Sequence, residues 1–117
     1  AQIRNELTRG IQELLGFAVA NQDLADLIVR ANTGESLSPT ESMRIEYWEG
    51  LIFRYWENVH YQYRQGLYDE SEFSVHRDAM LDVAREPRMY SFWCKDRLLF
   101  SAPFMQFMDN LLDGPDC

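Results

Sequence analysis

Ile3, Leu7, Ile11, Leu14, Leu15 and Ala18 recur at steps of three and four, the apolar stripe of one helix face. Asn21-Gln22-Asp23 interrupts that stripe with cap-forming side chains, and Leu24, Leu27, Ile28 and Ala31 continue it as a second, short helix. Asn32-Thr33-Gly34-Glu35 reads as a loop. Ser38-Pro39-Thr40-Glu41 carries the clearest start signal in the chain: serine at the N-cap, proline at the first helical position and glutamate at the third. It predicts a long helix over Pro39 to Gln65, ended where Gly66 takes the left-handed conformation. Asp69-Glu70-Ser71-Glu72 opens the next helix, with Phe73, Met80, Leu81 and Ala84 turned inward. Pro87 breaks it, and Arg88 to Leu99 resume with Met89, Phe92, Trp93 and Leu99. Ser101-Ala102-Pro103 starts a last helix through Phe104, Phe107, Met108 and Leu111, closed by Gly114-Pro115. No internal repeat and no domain boundary interrupts the pattern. The expected fold class is all-α: a single domain over residues 1–117, a compact bundle of about six helices around a long, aromatic-rich central helix over 39–65.

The long helix holds the unusual chemistry. Seven of the seventeen residues from Tyr47 to Tyr63 are aromatic, and they point in every azimuthal direction. A helix that is apolar all round is normally surrounded, so the segment is expected to be a buried rod. Tyr47, Gly50, Arg54, Glu57, Tyr61 and Arg64 nevertheless follow steps of three and four along one stripe. With Asn58, the polar members Arg54, Glu57, Tyr61 and Arg64 are candidates for a structural polar seam. They could instead clamp a carboxylate or phosphate ligand with Arg54 and Arg64.

Metal chemistry has a weaker footing. Glu57 and His60 have the Glu-x-x-His spacing of diiron bundles, which need two such pairs and two further glutamates. Glu72 and His76 stand at i, i+4 instead, and there is no third histidine. Half a site predicts no metal, and no cofactor is expected. Cys94 falls in an apolar helical segment and reads as a small buried hydrophobe, and Cys117 as a mobile terminal residue. The chain has no phosphate loop, G-x-S-x-G elbow, H-E-x-x-H or EF-hand pattern, and no nucleophile with a base beside it. Catalytic residues are therefore not assigned, and the balance leans away from an enzyme.

Composition narrows the partners. Hydrophobic residues make up 46% of the 117 and charged residues 26%, which excludes intrinsic disorder. Eleven basic against nineteen acidic residues give a net charge of -8, and no segment clusters its cations. Nucleic-acid binding, which depends on such clusters, is excluded as a class. Direct adsorption to anionic lipid is disfavoured for the same reason. The longest apolar run, Leu14 to Ala20, is far short of the roughly 20 residues a spanning helix needs.

The stretch Glu57-Asn58-Val59-His60-Tyr61-Gln62-Tyr63-Arg64-Gln65-Gly66-Leu67 resembles an uncharacterised family of small bacterial proteins with a Glu-Asn-x-x-Tyr-Gln-Tyr-x-x-Gly-Leu motif. Pro87, Trp93 and Ser101 to Phe104 look like the later features of that set, and the similarity extends from about Glu13 to Leu112. Those proteins typically begin with one transmembrane helix and a short basic stretch, followed by an all-helical domain. The resemblance thus implies a domain tethered to a membrane by a helix preceding Ala1, on the cytoplasmic face of a bacterial inner membrane. It implies no activity. His60 stands where an aromatic residue is expected in relatives.

The expected function is a non-catalytic interaction, scaffold or accessory-subunit domain that works through a protein partner or as a homo-oligomer. Such a domain should leave an apolar patch exposed, with the first or last helix as its expected bearer. A small-ligand-binding helical domain, with Arg54, Arg64 and the tyrosines lining a pocket, is the alternative. A metal-binding bundle on Glu57 and His60 ranks below it.

Overall fold

A computed structural model describes residues 2–117. Ala1 and the side chains of residues 2–4, including Ile3 of the first apolar stripe, lie outside the described residues. The fold is all-α, with six α-helices among the described residues. They are α1 (Gln2–Ala20), α2 (Gln22–Asn32), α3 (Pro39–Arg64), α4 (Glu70–Ala84), α5 (Pro87–Asp96) and α6 (Ala102–Leu111). A tight 3-10 turn, Arg97–Leu99, follows α5. The chain divides into two compact units, Ala1–Tyr55 and Trp56–Cys117, so that α3 supplies residues to both.

In the first unit the local signals act as the side chains require. The Asn21 side chain accepts the Leu24 N–H at 3.0 Å, starting α2 where the apolar stripe is broken. The residue after α2, Thr33, leads to Gly34 at a φ of +78°, from which the Gly34 and Glu35 amides reach back to Ala31 and Arg30. The capping box of α3 is formed in both directions. Ser38 Oγ accepts the Glu41 N–H at 3.2 Å, and a Glu41 carboxylate oxygen accepts the Ser38 N–H at 2.9 Å. Arg30 adds a 2.6 Å ion pair to the same carboxylate. That guanidinium, with the Ser38 amide, holds the Glu41 carboxyl down at about 2. Leu27, Ala31 and Ile45 form a small buried cluster here, with Ile28, Leu37 and Trp48 against it, and Phe53 is also fully buried.

The second unit has a different interior. Gly66, at a φ of +81°, ends α3: its N–H reaches Tyr63 O and the Leu67 N–H reaches Gln62 O, closing the last turn. Asp69 caps α4 by accepting the Glu72 N–H at 2.7 Å. Pro87 sits in the first turn of α5, where its missing N–H costs nothing, so the proline that interrupts the pattern also begins the next helix. Within this unit the rings form an unbroken chain. Trp93 contacts Phe100 and Phe104, Phe104 contacts Phe107, and Phe107 stacks on His60 at 4.3 Å. Phe73 packs on Phe107 and stacks on Tyr63 at 3.8 Å.

Three sequence expectations are corrected. The long helix is unbroken but is not surrounded along its whole length: Phe53, Trp56 and Val59 are buried, while Tyr47 and Tyr61 are exposed. The last helix does not carry a spare apolar face, because Phe104 and Met108 are fully buried and Phe107 is engaged in the ring chain. The cysteines are neither an inert thiol nor a loose terminus. Cys94 and Cys117 form a disulfide with a Cα–Cα separation of 5.3 Å. Asp113 and Gly114, at φ values of 57° and 70°, turn the chain after α6 so that it returns to α5. A separation of 23 residues with one partner outside any helix leaves no periodic trace in the sequence.

Candidate functional site

Four of the five polar candidates on α3 meet in one place. Glu57, Asn58, Tyr61 and Arg64, at steps of one, three and three, line an open groove with Ser101 and Pro103. The groove has a volume of about 400 Å³. Helical spacing puts these α3 side chains on one face, and the turn Arg97–Leu99 lets α6 start opposite them. Glu57 fixes that junction, since its carboxylate accepts the Ser101 N–H at 2.8 Å. Ser101 contributes no side-chain cap of its own, so the glutamate 44 residues away takes the capping role. The Arg64 guanidinium lies 5.4 Å over the Tyr61 ring, a cation–π contact on the wall of the groove. Arg54, the fifth candidate, is exposed and does not line the groove.

The stripe is therefore a solvent-facing row, not a buried seam. Tyr61, Arg64 and Asn58 are exposed, and Glu57 is half-buried. An ion pair along such a row adds little stability, because water screens both charges.

The weak metal candidates do not converge. His60 is only 6% exposed and is used as a ring, stacked on Phe107 with Phe73 and Phe104 nearby. Its Nδ1 has no hydrogen-bond partner. Burial, aided by the positive charge of Arg64, pushes its pKa down to about 4, so the imidazole is neutral at ordinary pH. His60 thus serves here as a flat ring in the aromatic packing. Glu57 is committed to Ser101, and His76 meets the ring of Tyr68 edge-on at 5.2 Å. Burial also lowers the His76 pKa, against the opposing pull of Glu72. Among the described residues no three His, Cys, Asp or Glu side chains are grouped to hold a metal ion.

A second polar cluster escaped the sequence reading. Asp109 on α6 accepts the Trp93 indole N–H at 2.9 Å and is ion-paired to Arg97. The guanidinium holds the Asp109 carboxyl below the usual carboxylate range, and the indole N–H adds to the effect. These residues are 12 and 16 positions apart, and only the turn between α5 and α6 joins them. The one available hint was Trp93 itself, since a buried indole N–H requires an acceptor. Arg97 and Asp109 also flank the disulfide, lining a shallow depression with Cys94, Cys117, Gly114 and Pro115.

The first unit offers a surface of another kind. Met43, Tyr47 and Leu51 recur every fourth residue on α3 and are 48%, 68% and 52% exposed. They form an apolar ridge on one helix face. Leu15, Phe17 and Val19 near the end of α1 are also exposed. No helix of the described residues is long and apolar enough to cross a membrane.

Comparison of the chain with protein-family models, with curated proteins and with solved structures returned no match.

Proposed function

We propose that this protein is a non-catalytic interaction domain that docks against another protein through the apolar ridge of α3. The observation that carries the reading is the spacing of Met43, Tyr47 and Leu51, large side chains left in water at every fourth position of a capped, ordered helix. A ridge of that form suits the groove of a helical partner. Aromatic and methionine side chains are the residue types that enrich interface centres. On α1, Leu15 and Val19 are exposed one turn apart on one face and add apolar surface in the same unit. The net charge of -8 favours a partner whose rim is basic around an apolar seat.

Tethering to a membrane, implied by the bacterial resemblance, fits an interaction role. The compartment is better argued from the Cys94–Cys117 disulfide, which favours an oxidising environment over the reducing cytoplasm. We therefore propose an oxidising compartment for the domain, in place of the cytoplasmic face that the resemblance implies.

A photo-crosslinking amino acid at position 47, expressed in the native host, tests the docking surface. The expected result is a discrete adduct at position 47 that is absent when the same group replaces exposed Asp82 on α4. The adduct should vanish when Leu51→Glu is added. Sedimentation of the purified protein decides whether the partner is a second copy. Adducts at position 47 no stronger than those at position 82, in a protein that sediments as a monomer, would reject the reading.

A further inference from the structure

We propose that the groove between the last two turns of α3 and the start of α6 binds a small monoanionic organic acid, its carboxylate on Arg64 and its apolar body against Tyr61 and Pro103. The site is separate from the α3 ridge and does not depend on the docking role.

The argument begins with Arg64. In a chain with nineteen acids and eleven bases, among the described residues its guanidinium meets no carboxylate and rests over the Tyr61 ring. Arg30, Arg77 and Arg97, by contrast, each hold an acid. A guanidinium laid on an aromatic face is oriented while its N–H edge stays open, which is the arrangement that receives a carboxylate. Its neighbours supply the rest of a recognition site. The Asn58 amide stands on the same face to donate a further hydrogen bond, and the Ser101 hydroxyl makes no cap bond to its own helix. Tyr61 and Pro103 give the groove apolar walls, and its volume of about 400 Å³ falls in the range of small-molecule sites.

Charge selects among anions. Glu57 lies in the groove with its carboxylate held by the Ser101 amide, and the whole chain is acidic. Arg64 compensates the charge of a single carboxylate, whereas each further negative charge on the ligand would face Glu57 and the acidic chain with no second cation among the groove residues to offset it. Inorganic phosphate lacks the apolar body, and an uncharged analogue lacks the anchor. Both are therefore expected to bind poorly.

The test is a titration of the isotopically labelled full chain with 3-phenylpropionate, 3-phenylpropanol or inorganic phosphate, followed by NMR. Phenylpropionate should give saturable shifts confined to the Asn58 side-chain amide, the Tyr61 ring, Arg64 Nε and the Ser101 amide. Saturation in the millimolar range is expected for so open a site, about 1–10 mM. Arg64→Gln should weaken binding by about tenfold or more, the value of one charge-assisted contact. Arg77→Gln, at an arginine outside the groove, should leave it unchanged. Because Arg64 is exposed, its replacement leaves the fold intact, which the rest of the spectrum verifies. Equal affinity for the alcohol, equal affinity for phosphate, no saturable shift at these four residues, or binding that survives Arg64→Gln would each overturn the proposal.

Discussion

The two units of this chain solve the burial problem with different materials. Up to Tyr55 a small aliphatic cluster of Leu27, Ala31 and Ile45 is joined by Trp48, with Phe53 also buried, and large apolar side chains of α1 and α3 remain in water. From Trp56 onward, seven rings from Tyr63 to Trp93 touch in series, a buried indole is tied to an ion pair, and a disulfide fastens the final turn. Rings bury more area per residue than aliphatic side chains and constrain one another's orientation. The second unit thus has the means of its own rigidity; both units expose apolar side chains, Leu98 and Leu99 in the second among them, but Met43, Tyr47 and Leu51 of the first share one helix face.

The largest effect that would test this contrast is Phe104→Ala. Phe104 is fully buried and touches Trp93, Phe100, Phe107 and His60, so its loss opens a cavity at the middle of the ring chain. Chemical denaturation should show a destabilisation of about 4 kcal/mol. A cost below about 1 kcal/mol would mean that the rings are loosely packed and that the contrast between the units is false.

The next effect is acid sensitivity at His60. Its folded-state pKa of about 4 lies below the ordinary value of 6.5, so the imidazole is neutral in the native protein while the unfolded chain takes up a proton first. Stability from this group is complete above pH 6.5 and is lost as the pH falls from 6.5 towards 4. The loss amounts to about 3 kcal/mol at the lower limit. His60→Phe, which keeps a flat ring in the stack, should flatten the stability curve across that window and stabilise the protein at pH 5. An unchanged slope in the variant would show that the imidazole is hydrated in the native state.

The smallest belongs to the first unit. Ser38→Ala removes the acceptor for the Glu41 N–H at the start of α3 and should cost about 1 kcal/mol. The ring chain should be untouched, so near-ultraviolet circular dichroism from Trp93 and its neighbours is expected to stay the same. A change in that signal would show that the start of α3 and the aromatic interior respond together.

Much of this architecture was readable from local chemistry. Ser38-Pro39-Thr40-Glu41, Asn21, Asp69 and Gly66 set helix boundaries through contacts within three or four residues, and each acts in the structure as its type requires. The face holding Glu57, Asn58, Tyr61 and Arg64 was legible for the same reason, because helical spacing alone aligns them. What that face meets was not. Ser101 and Pro103 arrive opposite it after a chain reversal, and Glu57 finds its partner 44 residues downstream. The aromatic count of α3 was equally ambiguous: composition shows that rings are present, but Tyr47 and Tyr61 in water differ from Phe53 and Trp56 inside only by azimuth. The Trp93–Asp109–Arg97 cluster and the disulfide lay further from reach, since each joins separate segments.

The sequence by itself determined the all-α class, where the helices begin and end, and which polar residues share the face of α3. Those properties depend on interactions spanning one turn of helix, whose energies are set by neighbouring residues. Only the tertiary structure decided which face of α3 is dry, that His60 serves as a ring, that the two cysteines are bonded, and that Arg64 stands at a groove. Each of these depends on how distant segments approach, and that distance is fixed by the packing of the whole unit, which no local pattern encodes.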